Sequence, residues 1–157
     1  MEPHEYEINV VWNEKRKGIV CSPELTESMR QSGCIEVATP PEFPQGMAGI
    51  WSPEHLFTAS VASCLMTTFL AIAENSRLEF NSFACKALGK LDKTEKGFAM
   101  THVHLEPVVT VSKEKDEDRA RKVLEKSEQH CLITHSIRSE VTMTPKVEVQ
   151  TEELEHS

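Results

Sequence analysis

Ser52-Pro-Glu-His-Leu-Phe-Thr-Ala-Ser-Val-Ala-Ser-Cys-Leu-Met-Thr-Thr-Phe-Leu-Ala-Ile-Ala73 is the stretch on which the fold turns. Ser52 as N-cap, Pro53 at the first helical position and Glu54 in the first turn form a helix start. From Leu56 to Ala73, 18 residues follow without a charge. That run falls just short of the roughly 20 residues a bilayer crossing needs. It also carries the hydroxyls of Thr58, Ser60, Ser63, Thr67 and Thr68. We read it as a core helix, apolar all round and therefore covered on both sides, by a sheet on one and by a second copy of the chain on the other, which predicts a homodimer. In its middle sits Cys64, and a second cysteine, Cys131, ends a later helix. A buried thiol is ordinarily a packing residue, but two inward-facing thiols on separate helices are also the raw material of a redox dithiol.

Around this helix the chain alternates between strand and turn signals. Tyr6 to Trp12 and Lys17 to Cys21 read as a hairpin across Asn13-Glu-Lys-Arg-Lys-Gly18, and Cys34 to Ala38 as a third short strand. Thr39 to Trp51 holds Pro40, Pro41, Pro44, Gly46 and Gly49, which is loop chemistry and suits a lid or crossing segment. Phe80 to Asp92 alternates as a half-buried strand, and Phe98 to Val111 returns beside it, with Pro107 marking an edge or a bulge. Lys113 to His130 is an amphipathic helix with Ala120, Val123, Leu124 and Ser127 on one face, a stripe that Cys131 continues. Val141 to Val149 closes the order as one strand, before an acidic tail over residues 150–157. Antiparallel strands with two helices make an α+β domain. Residues 1–157 are read as a single domain with its core over about 6–149.

Composition narrows the function. A chain of 157 residues with 39% apolar content buries enough surface to fold as one domain without staples. Its formal charge of −8 and scattered basic residues disfavour nucleic acid or an anionic membrane as partner. Met1-Glu-Pro-His-Glu-Tyr-Glu has neither a basic start nor an apolar stretch, so a cytoplasmic protein is expected. There, five cysteines argue for free thiols or a redox pair, and Cys21, Cys34 and Cys85 read as small fillers. His102 and His104 share a strand face but have no third ligand nearby in sequence, so no metal is expected. His130 and His135 flank Cys131, His130 reading as a helix-end cation. No phosphate loop, nucleotide fingerprint or flavin motif is present.

Ser52-Pro53-Glu54-His55-Leu56-Phe57, followed by Ala62-Ser63-Cys64, resembles the Asn/Ser-Pro-Glu-x-Leu…Ala-x-Cys signature of the OsmC/Ohr family, the osmotically inducible and organic hydroperoxide resistance proteins. Trp12 with Lys15-Arg16-Lys17-Gly18 resembles that family's first hairpin, Leu91-Asp92-Lys93 with Gly97-Phe98 its central hairpin, and His130-Cys131 its second cysteine site. The resemblance implies antiparallel sheets around a buried central helix and an intertwined homodimer with two sites at its interface. It further implies a thiol peroxidase needing no metal, haem or flavin. Cys64 would attack the hydroperoxide, Cys131 would resolve the sulfenic acid, Arg16 with Glu54 would hold the thiolate, and an external dithiol would close the cycle. One departure stands out: Cys131-Leu132-Ile133-Thr134 replaces the family's common Cys-Pro, which places the chain nearer the broader OsmC-like branch.

Physical chemistry sets conditions on these roles. Cys64 lies too far into its helix for the N-terminal dipole to lower its pKa, and burial raises a thiol, so activity calls for a nearby cation. Residues 31 to 53 contain no Arg or Lys, leaving Arg16 first and Arg30 second, although a turn arginine flanked by lysines is ordinarily solvated. Glu54 stands ten residues before Cys64, about 80° around and about 15 Å along one helix, and on its own it reads as an acid complementing the helix dipole. Cys131 at a helix C-terminus suits a thiol that waits for the sulfenic acid, provided the helix stops there without a proline. Leu56, Phe57 and Phe69 with the loop residues Phe43, Met47 and Trp51 would line a pocket for apolar peroxides. The alternative function is a non-catalytic protein binding an apolar ligand at the dimer interface, with its thiols as packing.

Overall fold

The computed structural model describes residues 2–26 and 33–150. Arg30 and the tail beyond Gln150 lie outside them. The chain divides into two compact units, Met1–Leu56 and Phe57–Ser157.

The first unit is an antiparallel sheet of β1 (Asn9–Glu14), β2 (Lys17–Cys21) and β3 (Cys34–Ala38), in that order, with a short helix α1 (Pro23–Thr26) after β2. The ranges of β2 and β3 are those expected; β1 starts later and runs further, and α1 was not foreseen. Lys15 turns the β1–β2 hairpin with φ 47°, and the Trp12 indole donates to its carbonyl at 2.9 Å. Beyond β3 the loop to Ile50 contains no helix or strand, as its prolines and glycines indicate. Gly46 is needed there, because a Cβ would collide with the Pro40 carbonyl. Trp51 returns against β3: the Ala38 amide donates to its carbonyl at 2.8 Å.

The long helix α2 (Pro53–Asn75) begins where the sequence places it, with the His55 amide donating to Ser52 Oγ at 3.1 Å. Its 23 residues exceed the expected span, and by length and composition alone it could cross a membrane. Only Val61, Cys64, Leu65, Phe69 and Ala73 are buried along it, at helical spacing. Within the chain the helix is thus covered along one stripe, and Met66 and Leu70, on the part left to a second copy by the sequence, stay exposed.

In the second unit β4 (Ser82–Thr94) and β5 (Gly97–Val111) form a long antiparallel hairpin with a register irregularity at Lys90/Leu91. A 3₁₀ turn (Glu114–Asp116) leads into α3 (Glu117–Gln129), which buries the expected Ala120, Val123, Leu124 and Ser127. Phe69 and Ala73 of α2 pack with Val109 and Val111 of β5 and Ala120 and Leu124 of α3; Val61 and Leu65 pack with Val103 and Leu105. Phe69 is therefore a core filler, with Phe80 and Phe83 against its ring at centroid distances of 5.1 Å, and not a pocket wall.

Two expectations fail at the last strand. It is divided into β6 (Glu140–Met143) and β7 (Lys146–Val149), and both lie parallel to β5, because α3 carries the chain back across the sheet before they begin. Pro107 is accordingly on a central strand, fully buried, not at an edge. Partners along both ladders differ by 38 residues (His102↔Glu140, Val108↔Lys146), which sets Glu106-Pro107 opposite Thr144-Pro145. Neither proline has an N–H to offer a ladder, so the strand breaks where its absence costs no bond.

Candidate active site

α3 stops at Gln129 without a proline. Cys131 turns extended (φ −70°, ψ 110°) and caps a new helical turn, α4 (Leu132–His135), whose His135 amide donates to the Cys131 carbonyl at 3.3 Å. Burial explains the stop: Cys131 is 1% exposed, and Ile133 packs onto the core around Val61 and Leu65. A helix running on would have carried both away from that core.

This turn brings Cys131 against Cys64, which is 8% exposed on the buried stripe of α2. Both are free thiols. Burial pushes the Cys64 thiol up, but hydrogen bonds from the Cys131 thiol, the Ile133 amide, the Thr68 hydroxyl and the Leu132 amide outweigh it and hold Cys64 below the ordinary thiol range. The Thr68 oxygen lies 3.9 Å from Cys64 Sγ. For Cys131, burial again pushes upward, and Cys64, by taking its hydrogen bond and by its charge, leaves it raised. The same contact thus shifts the two sulfurs in opposite directions, Cys64 down and Cys131 up. Cys85 is raised, chiefly by burial, and behaves as the filler expected.

The cation demanded by the sequence argument is not what lowers Cys64; hydrogen bonds do it, two of them from backbone amides. Leu132 matters here because a proline would have no N–H to donate. The sequence reading missed Thr68 and these amides. Thr68, one turn after Cys64, carried a usable signal; the amides carried none before the turn at Cys131 was known.

Arg16 and Glu54 lie in the first unit, on the wall of a cavity of about 410 Å³ that Val37 to Pro40 and Phe43 also line. Arg16 donates from Nε to Gln45 Oε1 at 3.2 Å, and its carbonyl accepts the Thr39 amide at 3.1 Å. Gln45 itself has φ 63°, a conformation that costs a non-glycine residue energy. Of the loop residues expected in a pocket, only Phe43 lines this cavity. Met47 is tied back by its amide to the Thr39 carbonyl at 2.9 Å, and Trp51, 51% exposed, meets the His55 ring edge-on. Phe57, in the second unit, packs on the core around Val61 and Leu65.

Cys21 and Cys34 are not fillers: they form a disulfide across directly paired positions of β2 and β3. The signal was present, since antiparallel neighbours set the last residue of one strand opposite the first of the next.

Solved structures share this architecture. An OsmC-like protein of unknown function from Vibrio cholerae is 24% identical with a TM-score of 0.77, over 91% of this chain and 99% of that one. An organic hydroperoxide resistance protein OsmC from Legionella pneumophila is 23% identical with a TM-score of 0.69, over 94% of this chain and 100% of its own. An organic hydroperoxide resistance protein from Elizabethkingia anophelis is 20% identical with a TM-score of 0.69, over 95% and 100%. At these identities the likeness is one of fold. No curated protein matches the chain significantly. The family model described as OsmC-like protein matches residues 46–146, well over half of the chain and a span that holds Glu54, Cys64 and Cys131. With that match and that fold, the chain belongs to the OsmC-like protein family.

Proposed function

We propose that this chain is a cytoplasmic, homodimeric thiol peroxidase that reduces organic hydroperoxides through Cys64 and Cys131. The observation that carries the reading is the contact between two buried thiols whose pKa values are driven in opposite directions. Such asymmetry assigns roles to a dithiol.

The Cys64 thiolate attacks the terminal peroxide oxygen. The O–O bond breaks, the alcohol leaves after taking a proton, and Cys64 becomes a sulfenic acid. Cys131 then attacks that sulfur: the S–S bond forms, the S–O bond breaks and water departs. An external dithiol returns two electrons and two protons. Apart from that reductant no cofactor is called for. We assign to Arg16 and Glu54 the stabilisation of charge developing on the peroxide and the thiolate, and to Phe43, Met47, Trp51 and Phe57 contact with the apolar part of the substrate. The exposed Met66 and Leu70 of α2 and Val10, Val11 and Trp12 of β1 favour a second copy as the partner.

Cys64→Ser tests the reading. Consumption of cumene hydroperoxide should vanish while the circular dichroism spectrum is kept; turnover at the wild-type rate would refute the assignment. Light scattering should give twice the 17.7 kDa of one chain, and a monomer at micromolar concentration would remove the shared site.

A further inference from the structure

The first unit holds a second sulfur pair that the peroxidase cycle does not use. Cys21 and Cys34 are half-buried, so a thiolate can reach them, and in a cytoplasmic protein such a disulfide is characteristically transient and redox-sensing.

Its position gives it something to control. β2 is half-buried at all five residues, with no alternation between a core face and a solvent face, and it contains Gly18. A strand patterned in this way specifies its register weakly, whereas one buried face would pin it; beside the disulfide, the Lys17–Glu36 ion pair at 3.3 Å ties β2 to β3. The ladder from Lys17↔Ala38 to Cys21↔Cys34 is closed covalently at one end. At the other end the Arg16 carbonyl accepts the Thr39 amide, and Arg16, Val37, Ala38 and Thr39 form one wall of the 410 Å³ cavity. A slip of one residue between β2 and β3 would carry that wall past Arg16 and reverse the faces of its side chains.

We propose that Cys21–Cys34 is a second redox centre of this chain, a reversible clip whose reduction by a dithiol frees the β2–β3 register and loosens the cavity wall at Arg16. The attacking thiolate forms a mixed disulfide with one cysteine and expels the other. The second thiol of the reductant then closes its own disulfide, so two electrons and two protons pass to Cys21 and Cys34. The chemistry of the clip is independent of peroxide turnover; its effect on turnover rests on the peroxidase reading.

Dithiothreitol serves as the probe on the full chain. Differential alkylation should show Cys21 and Cys34 protected together before treatment, released together by it, and protected again after reoxidation. Hydrogen exchange at the Thr39 amide, which donates to the Arg16 carbonyl, should quicken roughly tenfold or more on reduction, because opening becomes local once the clip is gone. Cys21→Ser/Cys34→Ser, with an unchanged circular dichroism spectrum, should exchange like the reduced wild type. Alkylation of both cysteines in protein purified without reductant, or equal exchange in the two states, would overturn the clip. Failure to consume cumene hydroperoxide in either state would instead strike the peroxidase reading and leave this one standing.

Discussion

The Cys131 thiol donates its hydrogen bond to the sulfur of Cys64, and the same contact lowers one pKa and raises the other. In the proposed cycle, the thiol that resolves is thereby part of what prepares the one that attacks. A group with a depressed pKa ionises at lower pH than a free thiol, so between the two values Cys64 is a thiolate while Cys85 is still protonated.

Cys131→Ala removes the donor while keeping the site apolar, so the pH midpoint for iodoacetamide labelling of Cys64 should move upward. In the wild type Cys64 should label at lower pH than Cys85. An unmoved midpoint would show that the amides and the Thr68 hydroxyl hold the thiolate without Cys131.

Leu132→Pro makes a narrower test. Leu132 is 66% exposed and opens α4, a position that accepts proline, and Cys131 before it is already extended, as a residue preceding proline must be. The fold should persist, with thermal midpoint little changed, while the labelling midpoint of Cys64 rises through loss of one N–H donor. A Cys64 that titrates as in the wild type would remove Leu132 from the site.

Arg16→Ala should slow reduction of cumene hydroperoxide by about two orders of magnitude, as expected for losing one charge-stabilising group worth a few kcal/mol. Single-turnover kinetics of sulfenic acid formation would isolate the step. An unchanged rate would confine Arg16 to shaping its cavity.

Phe69→Ala should cost about 3–5 kcal/mol, because its ring is fully buried between Phe80 and Phe83 and the rigid sheet cannot collapse into the space. Urea denaturation measures the loss directly. A cost below about 1 kcal/mol would contradict the packing described.

Local rules read correctly wherever one residue type decides the outcome. Ser52-Pro53 starts α2 at the right residue, the stripe of α3 is right in each member, and β2 and β3 have the bounds their apolar runs suggest. Pairings were harder, because they depend on partners distant in sequence. Pro107 alone suggests an edge; only the facing Pro145 explains why a central strand accepts it. Cys21 and Cys34 look like fillers singly, and become a pair once β2 and β3 are set in register. At the candidate site both cysteines were legible, whereas the backbone donors around Cys64 follow from a turn that tertiary burial imposes at Cys131. The absence of proline there, which suggested a helix running on, leaves an extra donor instead.

From the constant offset of 38 residues between β5 and its two parallel partners we expect a definite order of assembly. β4 and β5 meet through a two-residue turn, Thr94 pairing with Gly97, so their hairpin can close within microseconds from local contacts. The opposite edge of β5 must wait until α3 has formed and swung the chain back, a long loop closure whose entropy is recovered only when both β6 and β7 dock. During that interval Val103, Leu105, Val109 and Val111 have one flank of their backbone unpaired, an open template for another chain. A ribosome-bound chain halted before Lys146 would expose it longest, making late synthesis the stage at which this fold most needs protection from aggregation.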